Sequence, residues 1–295
     1  MGSFIADLKN DFRRGTISQQ FIYINIGIFV VTALVVILGM LFNVRSWMQW
    51  LELPSSLSIF VKQPWSIVTY MFLHGGILHL LFNMLWLYSF GQLFLLFYSA
   101  RHFRGLYLLG GLCGGILYMF AYNVFPYFQP YLAGSYLLGA SASVLAIVIA
   151  TAVREPEYRV NLVLFGQIRL KYLALVVIVA DLLFITSNNA GGHIAHLGGA
   201  LAGWWFAAGL RKGTDVTKWI NAFIDRLMGG WKIARAPKKP KMKVHYGGRS
   251  SDYEYNARKK EQNDEIDRIL DKLKKSGYQN LTTEEKQRLF DASKR

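Results

Sequence analysis

The chain has 295 residues, 53% of them hydrophobic and 15% aromatic, with a formal net charge of +15. That apolar content argues against a water-soluble domain of this length, and the single cysteine, Cys113, excludes an intramolecular disulfide. The charge is uneven, because residues 1–211 hold 12 Lys+Arg against 6 Asp+Glu while residues 212–295 hold 21 against 12.

Residues 1–20 form a short polar segment with Lys9, Arg13 and Arg14. The apolar run that follows is too long for a cleaved signal and has no small-residue cleavage site before Arg45, so it reads as a retained helix. A spanning helix needs roughly 20 apolar residues. Six stretches qualify, at about 21–43, 76–98, 104–124, 138–153, 169–187 and 192–210, the fourth being short. The expected fold is an all-α membrane bundle of six spans over 21–211. Positive charge alternates between the connections. Arg101 and Arg104 follow span two, Arg154, Arg159, Arg169 and Lys171 follow span four, and Arg211 and Lys212 follow span six. Both termini are therefore expected in the cytoplasm. The first outer loop, 44–75, carries Trp47, Trp50, Phe60 and Trp65, a composition suited to the membrane interface and to short interfacial helices.

Polar residues are costly in a bilayer, so their positions mark use or concealment. His79 and Asn83 lie four apart on one helix face. Ser141 precedes Arg154 by a length of helix worth roughly 20 Å, and His196 precedes Arg211 by roughly 22 Å. A serine and a histidine at one depth, on spans running the same way, point to a nucleophile and its base. Asn83, His79 and the free N–H groups near Ser141 at a helix start are the donors available to an oxyanion. No carboxylate is expected at that depth, so the arrangement reads as a dyad. Gly199 and Gly203 give a GxxxG stripe on the His196 helix, with Ala140, Ala142 and Ala146 as a small facing surface. Gly111 and Gly115 repeat the spacing in span three, where packing alone explains it.

Together these residues resemble the rhomboid family of intramembrane serine proteases. LHGGILHLLFN (73–83) is similar to the family's second-helix motif, with His79 and Asn83 on the oxyanion side. GASA (139–142) is similar to the nucleophile motif, with Ser141 as nucleophile, and AHLGG (195–199) to the motif that supplies the base, His196. Trp65 falls where the family has a first-loop Trp-Arg pair. The resemblance covers roughly 20–211 and implies cleavage of membrane-anchored or transmembrane protein substrates without a cofactor. Four positions depart from it. Ala142 replaces a glycine after the nucleophile, Ser66 replaces the first-loop arginine, Leu145 replaces an aromatic residue, and Leu95 replaces a glutamate.

Other readings stand beside this one. Ser141 could be a packing serine bonded to its own helix. Ser143 is the rival nucleophile, but two positions on is roughly 200° around a helix, so both cannot face His196. His74 is expected to tie the first loop to span two, and His193 to sit at the mouth of the site. Asp181, inside span five, has no charged partner at its depth and is expected as a protonated group bonded to a neighbouring helix. No metal is expected, since His193 and His196 are three apart on one face without a further ligand set. A catalytically silent protein that binds transmembrane segments is the rival function, kept alive by Ala142. A small-solute transporter is disfavoured, because the inner halves of the spans offer only Gln92 and Asp181 and no inverted repeat is evident.

The tail, 212–295, is expected in the cytoplasm. TDVTKWINAFIDRLM (214–228) places Trp219, Ile220, Phe223 and Leu227 at helical spacing, as an amphipathic helix on the inner membrane surface. A basic linker over 236–251 leads to a helical hairpin, with Gly277 as a C-cap and Thr282 and Glu285 as a capping box. Its apolar face is too small for an independent core. The tail carries no nucleic-acid motif, so lipid bilayer, including anionic head groups, is the expected contact and nucleic acid is not. The single cysteine and the tail fit a bacterial inner membrane, with an organelle membrane as the alternative.

Overall fold

The computed structural model describes residues 2–43, 47–162, 166–232 and 249–293. Two compact units result, Met1–Ala234 and Arg235–Arg295.

The first unit opens with a helix that the sequence reading did not assign, α1 (Gly2–Arg14). It is followed by α2 (Ile17–Leu41), which starts at a full capping box: Thr16 accepts from the Gln19 N–H while the Gln19 side chain accepts from the Thr16 N–H. The first loop contains a 3₁₀ turn at Met48–Trp50, strand β1 (Leu53–Pro54) and two short helices, α3 (Leu57–Phe60) and α4 (Ser66–Thr69). It is tied down by side chains that reach backbone carbonyls across the loop. Trp65 donates to the Trp50 carbonyl at 2.8 Å, and Thr69 donates to that of Leu51 at 2.6 Å. Gln63 donates to the carbonyls of Gln49 and Glu52. These bonds hold the loop in shape. The Ser66 side chain is buried.

Helices α5 (Ile77–Phe97) and α6 (Ala100–Val124) follow, and Ser99 caps the second by accepting from the His102 N–H. Among the described residues, α2, α5 and α6 are the helices long and apolar enough to cross a membrane. Strand β2 (Tyr136–Leu137) pairs antiparallel with β1 and leads into α7 (Ser141–Arg154). A small hairpin, β3 (Arg159–Leu162) with β4 (Gly166–Arg169), joins α7 to α8 (Leu170–Leu183), and α9 (Ala190–Arg211) comes next. The last helix of the unit, α10 (Lys218–Lys232), packs on the start of α6. Asp225 there takes Arg101 and Arg104, each at 2.7 Å. The compact unit thus runs past Arg211.

Helix α7 is the centre of the bundle. It has 14 residues, and every one from Ala142 to Ala152 is buried. Its length of about 21 Å falls short of a hydrocarbon core of about 30 Å. It need not span on its own, because α5, α6, α8 and α9 surround it. The closeness of α9 depends on glycine. A Cβ on Gly199 would lie 2.1 Å from the Ala142 carbonyl oxygen, and one on Gly203 would lie 2.3 Å from that of Ala146. The GxxxG stripe and the alanine face do meet. Gly111 and Gly115 of α6 instead receive Met71, Leu53 and Ile67 from the first loop, which is the packing role expected of them.

The second unit is a hairpin of α11 (Arg249–Ser276) and α12 (Thr283–Ser293). Gly277 ends α11 with φ +78 and ψ 164, a positive-φ extended conformation that favours glycine rather than the left-handed helical one. Thr282 and Glu285 form the expected capping box at 3.3 and 2.7 Å. Most of the linker expected over 236–251 lies outside the described residues, and its last three residues belong to α11.

Candidate active site

Three short structural facts bring the site together. Strand β2 and the turn after it deliver the chain to α7 through Gly139, whose N–H donates to the Tyr70 carbonyl at 2.9 Å and whose φ is +134. A side chain there would be strained and would also meet the His79 ring at 3.0 Å. Helix α7 then begins at Ser141, which puts the Ser141 hydroxyl at a helix N-terminus beside backbone N–H groups that have no intrahelical acceptor. Helix α9 begins at Ala190, two turns before His196, and its glycine seam presses that turn against Ala142.

Ser141 and His196 line one cavity of about 440 Å³, together with His79, Asn83, Asp181 and Leu145. No hydrogen bond joins Ser141 to His196 among the described residues, and catalytic pairs are commonly loose before substrate arrives. Asn83 is buried, and its amide donates to the His79 carbonyl at 2.9 Å, which leaves the second amide hydrogen free for a ligand. The second serine, Ser143, is buried at 1% exposure and does not line the cavity. The Ala142 methyl does not enter the cavity either. It packs against Gly114 of α6, where a Cβ would come within 2.7 Å of it. The methyl at the position after Ser141 is thus matched by a glycine on the facing helix.

His74 is buried, and its ring meets that of His79 edge-on at 5.2 Å. Burial, with His79 alongside, lowers its pKa to about 4. It belongs to the wall behind His79, and neither ring nitrogen has a partner among the described residues.

Asp181 changes the reading of the site. The sequence analysis gave it no charged partner and gave the histidine no carboxylate. In the structure Asp181 is 4% exposed, and its Oδ1 accepts from Nδ1 of both His196, at 2.9 Å, and His193, at 2.8 Å. It is bonded to a neighbouring helix, as expected, but through the very histidine that sits with Ser141. The reason is where the helix stops. Helix α8 ends at Leu183, so Asp181 stands in its last turn rather than deep within a span, one short loop before the start of α9. The same geometry overturns the view that no third ligand accompanies the two histidines. One ligand atom from each of Asp181, His193 and His196 lies within 4.8 Å of the others. A signal was present in the sequence, an aspartate isolated among apolar residues one short loop ahead of an H-x-x-H pair.

With Nδ1–H donated to Asp181, the neutral His196 ring has its lone pair on Nε2, the tautomer needed to take a proton from a hydroxyl. A hydroxyl at a helix start, an oriented imidazole, and amide donors around one cavity can support acyl transfer. Residues 61–213, just over half of the chain, match the model of the Rhomboid domain. The chain belongs to the rhomboid family. Residues 249–295 match a second model, a family of unknown function (DUF6576). Among curated relatives, the rhomboid unit is similar to RHOMBOID-like protein 12, mitochondrial, of Arabidopsis thaliana. The two are 30% identical over 157 residues, which is 50% of this chain and 47% of that one. It is also similar to Presenilin-associated rhomboid-like protein A, mitochondrial, of Danio rerio, with 33% identity over 140 residues, 46% of this chain and 34% of that one. The matches span less than half the length of either relative. Both names place those proteins in mitochondria, which does not fit the expectation of a bacterial inner membrane.

Proposed function

We propose that this rhomboid-family membrane protein is an intramembrane serine endopeptidase that cleaves transmembrane or membrane-anchored protein substrates. The observation that carries the proposal is the Asp181–His196 hydrogen bond behind a ring that shares its cavity with Ser141. Ser141 attacks the scissile carbonyl as His196 Nε2 takes its proton, and the ring then gives that proton to the leaving amine. Asp181 is the positioning residue, holding the tautomer and steadying the imidazolium. Asn83, His79 and the Ser141 N–H receive the oxyanion. The dyad of the sequence reading becomes an Asp–His–Ser relay. No cofactor takes part in these steps.

The six helices α2, α5, α6, α7, α8 and α9 lie over the six apolar stretches of the sequence, and we take them as the membrane bundle, with both termini in the cytoplasm. A substrate must present locally unwound backbone, since helical carbonyls are hydrogen-bonded and shielded. On α10, Trp219, Phe223 and Leu227 form an exposed apolar stripe while Ile220 is buried. That supports contact of this helix with the lipid surface, where the basic tail meets anionic head groups.

The rival is a silent protein that binds transmembrane segments. The fit of the Ala142 methyl against Gly114, away from the cavity, favours the protease over this rival. The test is cleavage of a single-span substrate in proteoliposomes by the unmodified chain, Ser141→Ala and Ser143→Ala. Loss with Ser141→Ala alone supports the protease. Folded protein that cleaves none of several substrates would leave the silent reading in its place.

A further inference from the structure

His193 has no part in the relay, yet it shares the same carboxylate oxygen as His196. The two rings are nearly perpendicular, at 81°, with centroids 6.0 Å apart, and both turn Nδ1 toward Asp181. The second oxygen of that carboxylate, Oδ2, is buried and has no hydrogen-bond partner among the described residues. An under-satisfied buried carboxylate facing two imidazole nitrogens is a chemically complete donor set for a divalent transition metal. Two histidines with one carboxylate suit Zn²⁺ and its neighbours in the first row, and they are a poor set for Mg²⁺ or Ca²⁺, which take oxygen.

We propose that Asp181, His193 and His196 form a Zn²⁺-type metal site whose occupancy inhibits the protease. The inhibitory part rests on the function proposed above, whereas the binding part does not. Zinc bonds of 2.0–2.2 Å at tetrahedral angles place donor atoms about 3.3 Å apart. The present Nδ1 to Oδ1 separations of 2.8 and 2.9 Å need only a slight opening, and the three donor atoms already lie within 4.8 Å of one another. The side chains of His193 and His196 keep 21% and 24% exposure, so an ion can reach them, while Asp181 supplies a buried carboxylate oxygen.

The inhibition follows from proton placement. In the hydrogen-bonded form each neutral ring carries its proton on Nδ1 and its lone pair on Nε2. When the metal takes the Nδ1 lone pair, the ring proton leaves Nδ1 through water and a proton is taken up on Nε2. The ring stays neutral and no electron transfer occurs. Nε2 of His196 then has a hydrogen instead of a lone pair and cannot accept the Ser141 proton. The metal-held and catalytic forms of His196 are mutually exclusive.

The test uses the full chain in detergent or proteoliposomes after removal of metals by chelation. Cleavage is followed against buffered free Zn²⁺, and binding is read separately from the visible spectrum of Co²⁺. The expected result is inhibition reversed by chelator, and a tetrahedral Co²⁺ band that Zn²⁺ displaces. Ser141→Ala should keep the full band while cleaving nothing. His193→Gln should lose the band and, measured against its own metal-free rate, need at least tenfold more Zn²⁺ for half-inhibition. His193→Asn serves as the second replacement, since its amide also donates to Asp181. Absence of the band in the unmodified chain, or Zn²⁺ inhibition unchanged in both His193 variants, would overturn the site. If the unmodified chain cleaves nothing, the proposed function fails, and the Co²⁺ comparison between Ser141→Ala and the His193 variants still decides the metal site.

Discussion

The α7–α9 seam and the α11–α12 hairpin are both pairs of helices, and they are held by opposite means. The seam has almost no side chains at its closest points, since glycines rest on the carbonyls of Ala142 and Ala146. The hairpin is joined by charges and caps at its surface. Lys272 reaches both oxygens of Glu285 at 2.9 Å, Arg288 pairs with Glu265, and the buried apolar contribution comes from Ile269 and Leu281. Shape has few substitutes, whereas charge pairs at a surface are worth little singly. Damage in the seam should therefore be severe and damage in the hairpin mild, although both alter a helix–helix contact.

The largest effect is expected from Gly199→Val. The added carbons would overlap the Ala142 carbonyl, and over-packing of this kind costs about 1–3 kcal/mol or more even where side chains can move. Backbone cannot give way easily, so the variant should lose its folded yield in detergent, checked by size-exclusion profile and thermal unfolding. A normal profile would show that the seam is softer than its distances imply.

Next is Asp181→Asn, which keeps the side chain's shape but turns one acceptor oxygen into an NH2 donor that can hold His196 in the wrong tautomer. The kcat should fall roughly hundredfold or more with KM nearly unchanged, because only the tautomer of the base is affected. Equal loss in kcat and in thermal stability would instead make Asp181 a structural residue. This position also marks where the sequence stopped being legible. Ser141 and His196 could be matched from helix rise and flanking charge, His79 and Asn83 from their spacing on one helix face and from the family resemblance, and six helices lie over the apolar stretches. Asp181 could not be placed, because its role depends on α8 ending early and on the direction of one side chain. Helix α1 was missed for a related reason, its apolar residues being too sparse to stand out before an apolar run. The compensation of Ala142 by Gly114 lies on two helices that share no sequence signal.

A third, smaller effect is a pH dependence of stability in the wall of the site. His74 has its folded pKa lowered to about 4 by burial beside His79, against an ordinary 6.5. Above pH 6.5 both folded and unfolded chains hold it neutral, and its contribution is complete. As pH falls from 6.5 toward 4 the unfolded chain takes up a proton that the folded chain refuses, so stability is lost over that window, by about 2–3 kcal/mol in total. Thermal unfolding across pH 4–7 should show a slope that His74→Phe flattens. An unchanged slope would assign the acid sensitivity elsewhere.

The smallest effect is expected in the hairpin. Thr282→Ala removes the hydroxyl that accepts from the Glu285 N–H and should cost α12 about 1 kcal/mol. Amide hydrogen exchange in residues 283–286 should quicken while the rhomboid unit is unaffected. Complete unfolding of α12 would show that the caps, and not Ile269 and Leu281, hold the hairpin closed.

The glycine seam also sets how the gene can drift. On α9, Gly199 and Gly203 face backbone, while Leu201, Trp204 and Trp205 are exposed to whatever surrounds the bundle. A saturation scan of this helix should read out as one intolerant stripe repeating every three to four residues, flanked by positions that accept almost any apolar residue. The stripe ends one turn from His196, so inheritance of the active site and inheritance of the fold are written into the same few codons.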